Sequence, residues 1–255
     1  MKTIRIEEMT WQQVKQAMEQ GYRCGIFALG SIEQHGPHLP LVTDTLIGDA
    51  LAVRVAEKLG QTLVAPTIRP GCSEHHMSFA GSLSISSELL AALTRAYCQS
   101  LAHHGFETIL LLPSHGGNFP TVARIVPELQ RDISAKVIGY SDLVEFTKVQ
   151  DAIAARFGVT PPESGAHAGC SETSLILAER ADLVRMDQAQ IGFVGDFVKL
   201  AQNLKPSAAG LDMKFDDISP IGVLGDPRGA RADIGRELLE GLADHLATFY
   251  RDALA

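Results

Sequence analysis

Thr108-Ile109-Leu110-Leu111-Leu112 leads into Ser114-His115-Gly116-Gly117-Asn118. The first five residues are a short apolar run, read as a central strand of a parallel sheet, buried on both faces. The polar sequel then falls at the strand's carboxyl end, where open α/β sheets place their ligands. Two glycines after His115 let the backbone turn tightly and come close to whatever the imidazole holds.

Outward from this point, apolar runs alternate with helical patterns. Gly25 to Leu29, Thr62 to Ala65 and Ala135 to Tyr140 read as further strands. Helices are predicted over Thr45 to Lys58, Ser87 to His103, Phe119 to Gln130, Glu145 to Phe157 and Glu172 to Arg180. Gly60 and Gly105 each follow a helical run, as C-terminal glycines do. His103 and His104 fit the ordinary role of a cation at a helix C-terminus. A long amphipathic helix, Ala232 to Leu254, closes the chain, with Ile234, Leu238, Leu239, Leu242, Leu246 and Phe249 at helical spacing. Gly158 to Gly169 reads as a loop, and Phe193 to Gly229 is too weakly periodic to assign. Strands recurring with helices between them predict an α/β fold: one domain over residues 1–255, a three-layer sandwich with a mostly parallel central sheet flanked by helices.

Composition narrows the function. With 255 residues, 45% hydrophobic and 20% charged, the chain has ordinary globular content. A net charge of −8 without a local Lys/Arg cluster offers no footprint for a phosphate backbone, which argues against nucleic acid. No apolar run has the length of a membrane span, and Met1 to Thr10 lacks a signal-like block, so a cytoplasmic protein with no membrane partner is expected. Cys24, Cys72, Cys98 and Cys170 form no C-x-x-C pair, which predicts neither a disulfide framework nor a zinc knuckle.

Two more clusters carry chemistry. Gly30-Ser31-Ile32-Glu33-Gln34-His35-Gly36-Pro37-His38-Leu39-Pro40 follows the first strand, and Thr43-Asp44-Thr45 opens the next helix. Glu33 and His35, two apart, can point the same way in an extended segment. Carboxylate and imidazole are donors that zinc, manganese and ferrous iron accept. The competing readings are a solvated loop and an N-cap at Asp44. The other cluster, Gly165-Ala166-His167-Ala168-Gly169-Cys170-Ser171-Glu172-Thr173-Ser174, sets His167 among small residues that leave room for a substrate. Glu172 could simply favour a helix N-terminus.

With these motifs in this order, and with Gly222-Val223-Leu224-Gly225-Asp226-Pro227 as a late motif, the chain resembles the creatininase superfamily of metal hydrolases from Thr10 to Leu239. The resemblance implies two divalent ions per subunit, zinc first, manganese or iron as alternatives. Glu33, Asp44 and His115 would hold one ion; His35, Asp44 and a later acidic residue would hold the other. Creatininase has a glutamate at the position of Gly117, which makes Glu172 the candidate fifth ligand. His167 is the candidate acid, with Glu172 as its alternative orienting or proton-relay group, and backbone N–H groups near Gly116 and Gly117 would stabilise an oxyanion. His76, in the loop Gly71 to Gly81, is assigned to the pocket wall or a subunit contact. Cys170 stands where many relatives have glutamate, and it is assigned to substrate binding.

The implied reaction is hydrolysis of the C–N bond of a small cyclic amide or a formamide by a metal-activated water. The alternatives are a lactone, a modified peptide, or a metal-containing binding protein without turnover. Creatinine itself fits poorly, because creatininase uses tryptophans near its pocket and the only tryptophan here is Trp11. The family also implies a homo-oligomer, often a hexamer, acting on a small molecule.

Overall fold

In the computed structural model, which describes residues 2–195, 206–207, 210–211 and 214–255, four strands form one parallel sheet. They are β1 (Cys24–Leu29), β2 (Thr62–Val64), β3 (Thr108–Pro113) and β4 (Lys136–Gly139), in the order β2-β1-β3-β4. Cys24 lies opposite both Thr62 and Thr108, and Ile109 opposite Val137. The runs read as strands are therefore strands, and β3 is central.

Alternation along each strand divides the core into two layers. Ile26, Ala28, Leu110, Leu112 and Ile138 face α2 (Thr43–Leu59), α7 (Cys170–Arg180) and the C-terminal helix Ala232–Leu254. Phe27, Leu29, Ile109, Leu111 and Val137 face α1 (Trp11–Glu19), α3 (Ser87–His103) and α4 (Phe119–Asp132). The C-terminal helix is pinned further where the Tyr250 hydroxyl donates to the Leu111 carbonyl at 2.7 Å. Helices on both faces of a parallel sheet make the three layers.

The connections explain where a site can form. After β1, α2 leads to β2 on one side; after β2, α3 carries the chain past β1 to β3, and α4 continues to β4. Chain paths diverge between β1 and β3, and the crevice at their carboxyl ends is the topological switch point.

Several boundaries differ from the sequence reading. Helix α2 begins at Thr43, so Asp44 lies inside its first turn and is not its cap. Helix α7 begins at Cys170. The segment read as a loop, Gly158 to Gly169, contains a helical turn, α6 (Pro161–Ser164), closed by a Thr160/Glu163 capping box. Another turn, Phe215–Ile218, stands in the stretch left unassigned; residues 196–205, 208–209 and 212–213 of that stretch lie outside the described residues. Helix α1 was not predicted, although Thr10 and Gln13 form a capping box legible in the sequence. No helix among the described residues is long and apolar enough to cross a membrane.

Candidate metal centre

The switch point gathers all three sequence clusters. Glu33 and His35 follow β1, Asp44 is in the first turn of α2, and His115 follows β3. His115 Nδ1 lies 3.2 Å from Glu33 Oε1 and 3.3 Å from Asp44 Oδ2. His35 Nε2 lies 3.3 Å from Asp44 Oδ1 and 3.8 Å from Glu172 Oε2. Asp44 thus presents one oxygen to each histidine. Glu33, His35 and Asp44 are shielded from solvent, yet Glu33 Oε1, Asp44 Oδ2 and His35 Nε2 have no hydrogen-bond partner. Buried polar atoms left in this state cost free energy. Donor atoms of Glu33, His35 and Asp44 lie within 4.8 Å of one another, as do those of His35, His167 and Glu172, a spacing that could hold metal ions.

The outer face of each imidazole decides which nitrogen looks inward. His115 Nε2 faces the Cys72 carbonyl at 3.1 Å, and His35 Nδ1 faces the Glu33 carbonyl at 3.2 Å. A ring nitrogen against a carbonyl must carry the proton, so each inward nitrogen keeps its lone pair for a metal.

The remaining motif residues brace these groups. Asn118 accepts from the Cys72 N–H at 3.0 Å and donates to the carbonyls of Leu29 and Gly30, at 3.0 and 2.9 Å. That ties the end of β1 to the loop whose carbonyl orients His115. Ser31 Oγ donates to Glu33 Oε2 at 3.0 Å, and Ser114 Oγ donates to the Asp44 carbonyl at 2.8 Å. Gly117 is required by clearance: a Cβ there would sit 2.3 Å from the Cys72 oxygen and 2.5 Å from His115 Nε2.

Electrostatics show what the pocket demands. Burial opposes a charge on His35, but Asp44, Glu172 and Glu33 overcome it and raise the imidazole to about 9. His115 is raised well above the usual imidazole value against the same burial, by Glu33 and Asp44. Burial would raise Glu33, but His115 holds it well below the usual carboxylate range. Glu172 goes the other way, to about 7, through burial and the repulsion of Asp44. His167 is pushed well below its ordinary value by burial and by His35 and His76. The carboxylates pull positive charge onto His35 and His115, whereas burial keeps it off His75, His76 and His167.

His167 points its Nδ1 at the cluster, 3.8 Å from Glu33 Oε1. It sits in a turn where Ala168 adopts φ +52°, a conformation uncommon for a residue with a Cβ, and the Ala168 N–H donates to Glu172 Oε2 at 2.5 Å. The late motif supports this turn: Leu224 N–H donates to the His167 carbonyl at 2.8 Å, and Ala166 N–H donates to the Leu224 carbonyl at 2.9 Å.

A cavity of about 90 Å³ opens over the cluster, and His76, Gly116 and Gly117 are among the residues that line it. Cys170 does not: it is buried at the start of α7 and faces a separate cavity with Phe157 and Arg231. Burial raises its thiol, so the substrate-binding assignment of Cys170 is corrected. Trp11 lies on α1, outside the residues lining the cavity. Sequence reasoning missed His75, Gln34 and the cavity wall. That wall is one face of α5 (Leu143–Ala155), with Leu143, Phe146, Thr147 and Gln150 at helical spacing, together with Phe215. Phe215 packs on His76 and His167 with ring centroids 4.1 and 4.7 Å apart.

Comparison with known proteins gives the chain's family. The creatininase family model, described as creatinine amidohydrolase, matches residues 7–250. The chain belongs to the creatininase family of hydrolases. It is 34% identical to a mycofactocin precursor peptide peptidase of Mycobacterium ulcerans, covering 86% of this chain and 81% of that protein. It is 28% identical to a 2-amino-5-formylamino-6-ribosylaminopyrimidin-4(3H)-one 5'-monophosphate deformylase of Methanothermus fervidus, covering 84% and 78%. Its fold superposes on a mutant creatininase of the Zn-Zn type with a TM-score of 0.80 at 25% identity, covering 99% of both chains.

For a creatininase-family chain, the charge count is informative. Glu33, Asp44 and Glu172 bring up to three negative charges into one buried site. Fixed charge of that kind is tolerated only when compensated, and divalent cations are the compensation this donor set accepts.

Proposed function

We propose that this chain is a metal-dependent amidohydrolase that cleaves the C–N bond of a small cyclic amide or a formamide. The observation that carries the reading is the convergence of Glu33, Asp44 and His115, and of His35, Asp44 and Glu172, with Glu33 Oε1, Asp44 Oδ2 and His35 Nε2 unpartnered and the outer nitrogens of His35 and His115 braced. These sets would hold two ions, zinc in preference to manganese or iron. Bound there, such ions supply a Lewis acid and an activated water.

The chain's own residues do the rest. His167, neutral at its Nδ1, takes a proton from the nucleophile and returns it to the departing nitrogen. Glu172, if not a ligand throughout, fixes the Ala168 turn and so the aim of His167. Gly116 and Gly117 line the cavity, and their backbone N–H groups would stabilise the developing oxyanion. Phe215 covers the imidazoles and excludes water. A cavity of about 90 Å³ suits a compact amide.

A second reading, cleavage of a terminal amide bond in a peptide, is favoured by one feature. A neighbouring cavity of about 390 Å³ shares Thr147, Gly165 and Ala166 with the first and has walls of Pro161, Pro162, Phe193 and Val194. A longer substrate could extend into it. We further propose that the protein acts in the cytoplasm as a homo-oligomer, a hexamer by family resemblance.

Metal analysis of purified protein, followed by a hydrolysis screen over cyclic amides, formamides and short peptides, tests the function. Tightly held divalent metal with turnover on one class is expected. Metal-loaded protein inert on all three classes would refute it.

A further inference from the structure

We propose that Gln34 is a positioning residue that fixes opposite proton arrangements on two imidazoles, making His76 an N–H donor and His167 a lone-pair acceptor toward the cavity. Gln34 is buried and stands in sequence between the two ligand candidates of its motif. Its amide orientation follows from one contact: Oε1 accepts from the Gly36 N–H at 2.9 Å. The amide nitrogen therefore faces the histidines, 2.8 Å from His76 Nδ1 and 3.0 Å from His167 Nε2.

An amide nitrogen only donates, so His76 Nδ1 must accept, and a neutral imidazole accepting at Nδ1 carries its proton on Nε2. Nε2 lies 3.1 Å from Glu33 Oε1, and neither atom has a hydrogen-bond partner. His167 Nε2 meets both the amide nitrogen at 3.0 Å and the Gln34 backbone carbonyl at 2.7 Å; the carbonyl only accepts and is the shorter contact, so Nε2 carries the proton toward it, the amide hydrogen goes to His76, and Nδ1 is left bare. One residue thus uses its side chain to set one ring and its carbonyl to set the other.

Two features hold Gln34 in this pose. Gly222 adopts φ +72°, and a Cβ there would lie 1.9 Å from Gln34 Oε1, so the late motif closes directly on the amide. The His167 backbone is in turn bridged to Leu224. The arrangement has two consequences. His76, although spaced with Glu33 and His167 as a possible metal group, is kept by this proton from ligating through Nε2 and becomes a neutral donor to an oxyanion. His167 is delivered as a base without requiring a charged group beside the ions. The use of His167 in turnover rests on the function proposed above; the proton positions do not, so the two can fail separately.

Neutron diffraction from deuterium-exchanged crystals of the zinc-loaded protein at neutral pH reads the proton positions. Deuterium is expected on Nε2 of both His76 and His167 and on neither Nδ1. Deuterium on His76 Nδ1, alone or together with Nε2, overturns the proposal, as does deuterium on His167 Nδ1. In Gln34→Glu the donor to His76 is replaced by an acceptor, and the His76 deuterium is expected to move to Nδ1 while His167 is unchanged. A His76 ring that keeps its Nε2 deuterium in this variant also overturns it. The wild-type crystal alone decides the matter if the variant does not fold.

Discussion

Replacing Gly117 by alanine should weaken metal binding without touching a ligand. The new Cβ would sit 2.3 Å from the Cys72 carbonyl oxygen and 2.5 Å from His115 Nε2, so the contact between those two atoms cannot survive unchanged. Breaking it strands a buried carbonyl, at about 1–3 kcal/mol. For a chain of this size that lowers the unfolding midpoint by roughly 2–12 °C, at about 2–4 °C per kcal/mol. It also frees the ring to turn, and loss of such an outer partner typically costs about 10–100-fold in metal affinity. Gly116→Ala is the matched control, because a Cβ there meets only Leu143 Cδ2, at 3.9 Å. The assay is competition for zinc against a chromophoric chelator, with thermal unfolding of the metal-free proteins alongside. Equal zinc affinity for Gly117→Ala and wild type would refute the claim that the Cys72 carbonyl orients His115.

His115→Ala should lose metal and turnover together, whereas His167→Ala should keep metal and lose turnover; metal content and rate on any substrate found in the screen separate the two. Metal binding should tighten as pH rises, because in the metal-free protein His35 holds a proton up to about 9 and Glu172 up to about 7, and both must be released. Calorimetry in two buffers of different ionisation enthalpy should show that release, and an affinity constant between pH 6 and 9 would contradict it. Asn118→Ala should destabilise the fold by about 2–4 kcal/mol, since it removes three buried hydrogen bonds between β1 and the Cys72 loop. Urea unfolding measures this directly.

The sheet was legible because buried parallel strands are written as apolar runs, and Gly25 to Leu29 and Thr108 to Leu112 could hardly be anything else. Glu33, His35, Asp44 and His115 were legible because a donor just past a strand end has few other reasons to be there. His75 and Gln34 were missed for a physical reason: their significance depends on contacts across the fold, between a loop near residue 75, a turn at 167 and a glycine at 222. Phe215 offered no local signal, lying in a stretch without periodicity. Cys170 misled because it adjoins Ser171 and Glu172 in sequence, while the first turn of α7 aims its side chain to the other side of the helix from Glu172. The α5 face was readable in principle from Leu143, Phe146, Thr147 and Gln150, but nothing local said which helix would border the cavity.

Four of the five candidate metal-holding residues precede position 116, on the first three strands and their crossovers. The rest of the cavity lining comes from both parts of the chain: His75, His76 and the stretch from Pro113 to Phe119 before position 140, and one face of α5, the turn before α7 and Phe215 after it. The α5 face and Phe215 carry no candidate metal-holding residue, so substitutions there can redirect what enters the cavity while leaving Glu33, His35, Asp44 and His115 in register. A scaffold arranged in this way can vary its substrates through one helix face while its anchoring groups stay in place.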